Sequence, residues 1–427
     1  MLETGRRAAL AFALVLGLLL PSAAHADSWW TDDAAAVATL PAADAVSRAS
    51  VHGYVKTLAA DVGSRPADSE AFRRAAAFAR DHFAGLGYRV SLQEFTYPRF
   101  EDLGSSLRLD AEGSAIAGQA LAGSPAGDVA APLVEVGLAR AADLDGLALD
   151  GKIALARRGE IPFGEKAQNA ARAGAVGLVV YNVEDRPLNG RLDRPSTIPA
   201  LGVTSSDGAR LLGQLGGAPR AAHLVVRTVQ DERPSANVVA EGGPPGTPGT
   251  IVVGAHLDSV PAGPGANDNG SGAAAVLELA RVFAGRPEAR RLTFVLFGAE
   301  ELGLIGSSRY VASLGAGARS LRAMVNLDMV AVGDRFEIGG AGERSRDLAR
   351  RGLDAAAALG YRAVPFDPGG ASDHAPFAAA GVPAVMLHWR DDPSYHQPGD
   401  TWDKVDPEKL AATTRTAARL LESLLDE

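Results

Sequence analysis

The sequence contains no cysteine, and this absence excludes several kinds of chemistry. Without a thiol, the chain can form neither a disulfide nor a thiolate metal site, and it has no cysteine nucleophile. Any metal must be held by histidine and carboxylate groups, which favours a catalytic over a structural site. A chain of 427 residues does not need disulfides, because it can bury a sufficient core.

Lysine is also scarce, although arginine is not. The chain has only five lysines and a formal net charge of −9, so we expect neither a nucleic-acid partner nor an anionic membrane surface. Hydrophobic residues make up 47% of the chain and charged residues 22%, which is typical of globular proteins. The length favours two domains over one.

No apolar run is long enough to span a membrane comfortably. The apolar stretch over residues 8–20 follows a pair of arginines and precedes the small-x-small triplet Ala24-His25-Ala26. This order predicts a secretory signal peptide over residues 1–26, cleaved before Asp27. We therefore expect a secreted protein, extracellular or periplasmic, with no membrane contact after cleavage.

The remaining chain has two textures. From about residue 101 to 230, short β-type runs alternate with Gly or Pro turns, which predicts an inserted α+β module. From residue 231 to 427, strands and helices alternate, which predicts an α/β fold with a mostly parallel mixed sheet and helices on both faces. Helices are predicted over residues 42–60, near 69–85 and over 407–425, and strands over residues 88–92, 235–241 and 323–327. The helix near 69–85 carries its apolar residues on one face, which suits docking on that sheet.

Five potential metal ligands occur in the α/β half, close to the ends of predicted strands. They are His256 in H-L-D-S-V, Asp268 in N-D-N-G-S-G, Glu301 in G-A-E-E-L-G, Asp328 in N-L-D-M-V and His396 in Y-H-Q-P-G-D. Ligands bind at the carboxyl ends of strands in open α/β sheets, so these residues can converge on one rim. Two imidazoles and three carboxylates, one of them bridging, suit a pair of divalent cations, best zinc. The adjacent Glu300 is then left for proton transfer.

These motifs, together with residues 42–92, resemble the secreted double-zinc aminopeptidases. That family shares its fold with glutamate carboxypeptidases, the transferrin receptor ectodomain and glutaminyl cyclases. The inserted module, with G-K-I-A-L-A-R-R-G and I-P-A-L-G-V, resembles the protease-associated domain. The resemblance implies a zinc-peptidase fold whose catalytic domain comprises residues 27–100 and 231–427, with the protease-associated domain at 101–230.

The resemblance also assigns a role to each residue of the site. It implies that His256 and Asp328 bind one zinc, that Glu301 and His396 bind the other, that Asp268 bridges both, and that Glu300 is the general base. The water shared by the two cations would attack the scissile carbonyl, and Glu300 would protonate the leaving amine.

Neighbours of the ligands supply further candidates. Asp258 lies two residues after His256, on the same side of an extended chain, and can orient the imidazole. Tyr395 resembles the family's phenol that hydrogen-bonds the tetrahedral oxygen. Asp373, in S-D-H, resembles a segment that supports the site, although Ala371 stands where some relatives carry arginine. The resemblance also implies a cis peptide bond between Asp268 and Asn269.

We therefore expect a secreted metallo-aminopeptidase that removes N-terminal residues from peptides, with two Zn²⁺ per chain. A carboxypeptidase or dipeptidase on the same scaffold is the first alternative. It would need arginines for a terminal carboxylate, and no arginine cluster adjoins the motifs, although Arg390 lies near them. A glutaminyl cyclase would use one zinc. A metal-free binding protein would have lost ligands, whereas all five are present here.

Overall fold

The structure is a computed structural model that describes residues 40–110, 113–340 and 342–426. The predicted signal peptide over residues 1–26 lies outside these ranges. Among the helices of the described ranges, none combines the length and apolar character needed to cross a membrane. The described chain forms an eight-stranded mixed sheet and a closed seven-stranded barrel.

Strands and helices are numbered in chain order. The strands are β1 Arg89–Asp102, β2 Ser105–Leu109, β3 Ile116–Ala120, β4 Gly127–Glu135, β5 Ile153–Arg157, β6 Gly177–Tyr181, β7 Ala200–Val203, β8 Arg220–Val226, β9 Thr228–Glu241, β10 Ile251–His256, β11 Leu292–Phe297, β12 Ala323–Leu327, β13 Arg335–Gly339, β14 Ala363–Phe366 and β15 Ala384–Arg390. The α-helices are α1 Arg48–Val55, α2 Glu70–Gly85, α3 Ala141–Leu144, α4 Phe163–Arg172, α5 Ser205–Leu215, α6 Gly272–Phe283, α7 Ile305–Leu314, α8 Glu343–Ala358, α9 His374–Ala379 and α10 Pro407–Leu425.

The centre of the sheet consists of parallel strands. The order is β1-β9-β11-β10-β12-β15-β13-β14, and β11, β10, β12 and β15 run in the same direction. These strands are rich in Val, Ile, Leu and Phe, and β10, β11 and β12 are buried along their whole length. Continuous burial is expected of parallel strands covered on both faces. Their carboxyl ends consequently lie along one edge of the sheet.

Helices cover both faces of the sheet, as the sequence predicts. Along β10, Ile251 and Val253 face a large core that includes residues of α1, α2, α6, α8 and α10. Val252 points the other way, into a smaller core with Tyr310 of α7 and Phe377 of α9. The alternation follows from the two-residue repeat of a strand. The predicted α/β class is therefore confirmed.

The barrel is joined to the sheet through a long antiparallel ribbon. Strands β1 and β9 pair from Arg89 opposite Glu241 to Asp102 opposite Thr228. The barrel, in the order β2-β3-β7-β6-β5-β4-β8, follows β1 and precedes β9 in the chain. It has its own buried clusters, one of which packs α4 against β5 and β6.

Some elements differ from the sequence-based expectation. The predicted helix over residues 42–60 begins only at Arg48 and continues as a π-helix over Lys56–Val62. Both ribbon strands are much longer than predicted. Many of their residues are polar, so no run of apolar side chains marks their full length in the sequence. The expected strands covered only residues 88–92 and 235–241. The short elements β13, β14 and α9 were not predicted.

Candidate metal centre

The five candidate ligands lie at the carboxyl edge of the parallel strands. His256 is the last residue of β10, and Asp328 directly follows β12. Glu301 lies in the turn after β11, and His396 lies in the loop after β15. Asp268 lies in a short π-helical turn, Ala266–Ser271, that leads into α6. The structure brings together all five residues that the sequence singles out.

Asp268 lies between the two imidazoles. Its Oδ1 is 3.2 Å from Nε2 of His256, and its Oδ2 is 3.1 Å from Nε2 of His396. Each carboxylate oxygen therefore faces a different histidine, the arrangement required of a ligand that bridges two cations. Asp268 is itself buried.

The remaining ligands divide between the same two histidines. Oδ1 of Asp328 lies 3.4 Å from Nε2 of His256, and Oε2 of Glu301 lies 3.0 Å from Nε2 of His396. Donors that share one tetrahedral zinc at about 2.0–2.1 Å lie about 3.3–3.4 Å apart. The measured separations of 3.0–3.4 Å match that requirement closely.

Glu300 is placed differently from Glu301, although the two are adjacent. Its Oε2 lies 3.9 Å from Nε2 of His256, further than any of the proposed ligand atoms. One oxygen of Glu300 still falls within 4.8 Å of donor atoms on His256 and Asp328, so it borders the same space. This position suits a group that acts beside a metal rather than on it.

Unpartnered oxygens and local charge also suit cations. Within the described residues, Oε1 of Glu301 and Oδ1 of Asp328 are buried without a hydrogen-bond partner, which is rare for polar atoms. Burial alone would lower the pKa of His256. The carboxylates of Glu300 and Asp328 outweigh burial and hold that pKa well above its usual value. The site therefore stabilises positive charge, and its His and carboxylate donors fit a pair of zinc ions.

Burial and repulsion act on the two glutamates. Burial raises the pKa of Glu300 far above its ordinary value, and the nearby Asp373 and Asp328 raise it further. Burial and Asp268 likewise raise the pKa of Glu301. Burial would also raise the pKa of Asp268, but hydrogen bonds from the two imidazoles lower it overall. Without cations, burial and neighbouring carboxylates thus favour the protonated form of both glutamates.

Asp258 supports the site through two different groups. Its backbone carbonyl, not its carboxylate, lies within hydrogen-bond distance of Nδ1 of His256, at 3.1 Å, whereas Oδ1 is 3.9 Å away. The carboxylate instead accepts hydrogen bonds from the backbone amides of Glu300 at 3.2 Å and Glu301 at 3.3 Å. Asp258 thus connects β10 to the turn that carries the two glutamates.

Two further candidates lie near the ligands. The ring of Tyr395 stacks on that of His396, with 3.8 Å between centroids, and its side chain remains 49% exposed in the pocket. Asp373 is fully buried at the start of α9, and burial raises its pKa to about 7. Ala371, beside this segment, lines the same pocket.

The backbone is unusual where the ligands are attached. Ala299, Met329 and His396 have φ of 58°, 53° and 56°, a region that non-glycine residues rarely occupy. Ala299 precedes Glu300, Met329 follows Asp328, and His396 is itself a candidate ligand. Such conformations cluster at functional sites. The cis peptide bond expected between Asp268 and Asn269 is present.

Sequence reasoning missed three buried residues that hold the ligand loops. Asp400 accepts hydrogen bonds from the amides of Asn267 and Asp268, at 2.7 and 3.0 Å. Asn269 donates to the carbonyl of Leu327 at 3.0 Å and so connects the Asp268 turn to β12. Arg65 donates to backbone carbonyls of the segment between His256 and Asp268. Asp400 ends the Y-H-Q-P-G-D motif, a signal that could have identified it, whereas nothing near Arg65 in sequence marks it.

A pocket of about 460 Å³ opens over the ligands. Met329, Phe366 and Met386 contribute apolar walls, and His388 and Arg390 follow Met386 at alternate positions along β15. Besides the candidate ligands and Glu300, the lining includes Asp367, Pro368, Ala371, Asp391, Asp392 and Tyr395.

Comparison with known proteins identifies the family. The model of peptidase family M28 matches residues 237–421, and that of the PA domain matches residues 129–211. Aminopeptidase YwaD of Bacillus subtilis is 33% identical over 382 residues, which cover 84% of this chain and 81% of that protein. The chain belongs to peptidase family M28.

Solved structures of aminopeptidases share the fold. The aminopeptidase from Aneurinibacillus sp. strain AM-1 superposes with a TM-score of 0.74 at 32% identity, covering 90% of this chain and 95% of the other. BSAP, a zinc aminopeptidase from Bacillus subtilis, gives a TM-score of 0.66 at 30% identity, covering 88% and 95%. The chain is thus an M28 peptidase that carries an inserted PA domain.

Proposed function

We propose that this M28 peptidase is a secreted aminopeptidase with two zinc ions per chain and peptides as substrates. The observation that carries the proposal is the placement of Asp268, with one oxygen on each imidazole. His256 and Asp328 would hold one zinc, and Glu301 and His396 the other. Zinc in BSAP and the aminopeptidase activity named for YwaD support this assignment.

The chain's own residues supply the acid–base chemistry. Zinc would contribute Lewis acidity, which polarises a carbonyl and makes water more acidic. Glu300 borders the ligands without being one, so it can accept a proton from the attacking water and deliver it to the leaving amine. Asp258 holds the Glu300 amide and so fixes the base. The Tyr395 phenol lies in the pocket, where it can donate to the developing oxyanion.

The pocket also suits a free α-amine. Asp328 and Glu300 line it, so its inner end is rich in carboxylate oxygens that attract an ammonium group. An N-acylated peptide has no such charge. Recognition of the amine would make the enzyme an exopeptidase.

Hydrolysis of a matched substrate pair tests the proposal. Purified protein should cleave leucine anilide but not N-acetyl-leucine anilide, should lose activity with a chelator, and should regain it with zinc. Metal analysis should give two zinc ions per chain. Equal cleavage of both anilides would rule out an aminopeptidase, and full activity in chelator would rule out the metal mechanism.

A dipeptidase or carboxypeptidase is the second candidate, because Arg390 lies in the pocket. Its Nε donates to the buried Glu337 at 2.8 Å, which holds the guanidinium near a position that a substrate carboxylate could reach. In that case Arg390→Met would lower kcat/KM for a dipeptide at least tenfold and leave leucine anilide unaffected. An aminopeptidase would show similar, small changes on both substrates.

We further propose that the catalytic domain comprises residues 27–100 and 231–427, and the PA domain residues 101–230. The paired ends of β1 and β9 support this division, since the barrel strands all lie between them. Export with removal of residues 1–26 remains part of the proposal.

A further inference from the structure

Arg65 is fully buried, and its guanidinium is surrounded by backbone carbonyls. Within the described residues, each of its guanidinium hydrogen bonds goes to a carbonyl and none to a carboxylate. The acceptors are Leu257 at 2.9 Å, Leu58 at 3.0 Å, Gly63 at 3.0 Å, Pro264 at 2.6 Å and Gly265 at 2.9 Å. A buried charge requires such complete partnering, because an unpaired one is costly.

Three of those carbonyls belong to one loop. Leu257, Pro264 and Gly265 lie between the ligands His256 and Asp268. A pair of bonds near Arg65 joins the same loop, since its amide donates to Oγ of Ser259 at 2.9 Å and the Ser259 amide donates to the Arg65 carbonyl at 3.1 Å. We call residues 257–267 the ligand loop.

The far end of the ligand loop is held from the opposite side. Asp400 accepts the amides of Asn267 and Asp268, at 2.7 and 3.0 Å. The Arg65 guanidinium therefore binds carbonyls of the loop, and the Asp400 carboxylate binds amides at its far end. Because Asp400 follows His396 by four residues, this contact also ties the loop to another ligand.

The charge of Arg65 is retained despite its burial. Burial lowers its pKa to about 10, against the attraction of Asp258, Asp400 and Asp268, which raise it. At neutral pH the guanidinium therefore carries its proton. Lysine has the same charge but only three donors on one atom, so it cannot reach acceptors arranged around a planar fork.

We propose that Arg65 is a positioning residue for the metal centre: it sets the conformation of the ligand loop, and so the distance between His256 and Asp268. The inference rests on the proposed zinc-dependent function. Arg65 touches neither substrate nor metal, and acts through the loop. The amino-terminal segment thereby contributes to a site whose ligands all come from the second half of the chain.

Arg65→Lys tests the proposal, because it keeps the charge and removes the fork. We expect a folded protein whose zinc affinity, measured by competition with a chromophoric chelator, is at least tenfold weaker. With zinc at saturation, kcat on leucine anilide should fall at least tenfold while KM changes less than threefold. Zinc affinity within twofold of wild type, with unchanged kcat, would overturn the proposal.

Lys166→Met is the matched control. Lys166 is the other fully buried cation among the described residues, and it donates to the Leu138 carbonyl in the barrel. Its loss should lower the unfolding temperature without changing zinc affinity. If instead it weakened zinc binding as much as Arg65→Lys, the effect would be general destabilisation, and the positioning role would be rejected.

Ser259→Ala provides a milder variant if Arg65→Lys does not fold. It removes the acceptor of the Arg65 amide and should weaken zinc binding between twofold and tenfold; no change would count against the proposal. Measurements on wild-type protein distinguish a failure of the proposed function from a failure of the role proposed for Arg65. If it bound no zinc and cleaved no anilide, the proposed function would fail, whereas normal zinc binding by every variant would reject only the role of Arg65.

Discussion

At the scale of a residue, the neighbouring glutamates show how side-chain direction can separate the two roles proposed for them. Oε2 of Glu301 lies 3.0 Å from the His396 imidazole, whereas Oε2 of Glu300 lies 3.9 Å from that of His256. Both amides are held by the Asp258 carboxylate. The shared anchor fixes the turn, and the direction of each side chain then decides which carboxylate can be a ligand.

Glu300→Gln and Glu301→Gln should therefore fail in different ways. The first should lower kcat by about 10²–10⁴-fold, the usual contribution of a general base, with two zinc ions still bound. The second should lose zinc, because an amide is a weaker ligand than a carboxylate. Zinc analysis and kcat on leucine anilide check both. Metal loss from Glu300→Gln would reverse the assignment.

His82 should make stability depend on pH without touching the metal centre. Burial lowers its pKa to about 4, and its Nε2 contacts the Leu277 carbonyl at 3.1 Å. Between pH 6.5 and 4 the unfolded chain binds a proton that the folded chain does not, so stability falls as pH drops. From pH 7 to 5 the loss should be at most about 2 kcal/mol.

His82→Gln should remove that dependence, since glutamine can donate to the same carbonyl and does not titrate. Denaturant unfolding at pH 7 and pH 5 measures the difference between the two proteins. All other titratable groups are common to the two proteins, so their contributions cancel in this comparison. Identical pH dependence in the two proteins would show that His82 keeps an ordinary pKa.

At the scale of elements, the start of α6 is packed against the end of β12. A Cβ at Gly272 would lie 2.0 Å from the Leu327 carbonyl oxygen and 2.4 Å from Oδ1 of Asn269. Only glycine allows this approach, which brings the turn of Asp268 beside the strand that Asp328 directly follows. Helix position and ligand spacing are thus determined by the same contact.

Gly272→Ala should push α6 away from β12. We expect a loss of about 1–3 kcal/mol in stability, as for other overpacked sites, together with weaker zinc binding. Gly213→Ala in α5 is the control, because its Cβ meets nothing within 4 Å. It should stabilise its helix by up to about 1 kcal/mol and leave zinc binding unchanged. Unfolding and zinc competition measure both, and equal effects would contradict the packing argument.

Periodic elements were predictable from sequence, and contact-dependent ones were not. Strand β12 and helix α10 match their predicted bounds because apolar spacing and the Asp406 cap mark them locally. The ribbon strands β1 and β9 were underestimated, since their polar residues are ordered by pairing along the whole length rather than by a core. The sequence of one strand does not show which strand it pairs with or over what length.

The candidate site was predictable as a set of ligand-type residues at one edge of the sheet, and less so in the residues that support it. Ligand type and strand-end position are visible in sequence, and they place His256 and Asp328 on one rim. Asp258 was expected to orient His256 through its carboxylate, but the structure uses its carbonyl. Arg65 could not be found, because its acceptors are carbonyls, which every residue has.

At the scale of the molecule, the β1–β9 ribbon separates two independently packed bodies. The buried residues of both barrel clusters lie between Leu107 and Val226. Asp102 and Thr228 are directly opposite at the end of the ribbon, so a short turn could join them. Among the residues that the structure describes, the main core contains no buried residue from the barrel.

Replacing residues 103–227 with Asn-Gly should therefore leave a folded peptidase domain, because this dipeptide favours a two-residue hairpin turn. We expect two zinc ions per chain and kcat on leucine anilide within tenfold of full-length protein. Metal analysis, cooperative unfolding and the anilide assay check this. A shortened chain that unfolds without cooperativity would show that the barrel is part of the catalytic fold.

The hydrogen bonds from the amides of Asn267 and Asp268 to Asp400 affect when the site can form during synthesis of the chain. A ribosome makes His256 and Asp268 long before it reaches Asp400 and the final helix α10. Until Asp400 is made, the turn of Asp268 lacks the acceptor for its amides. His396 is itself made only four residues before Asp400. We therefore expect the growing chain to have no competent metal site, so that zinc loading must follow synthesis of nearly the whole protein.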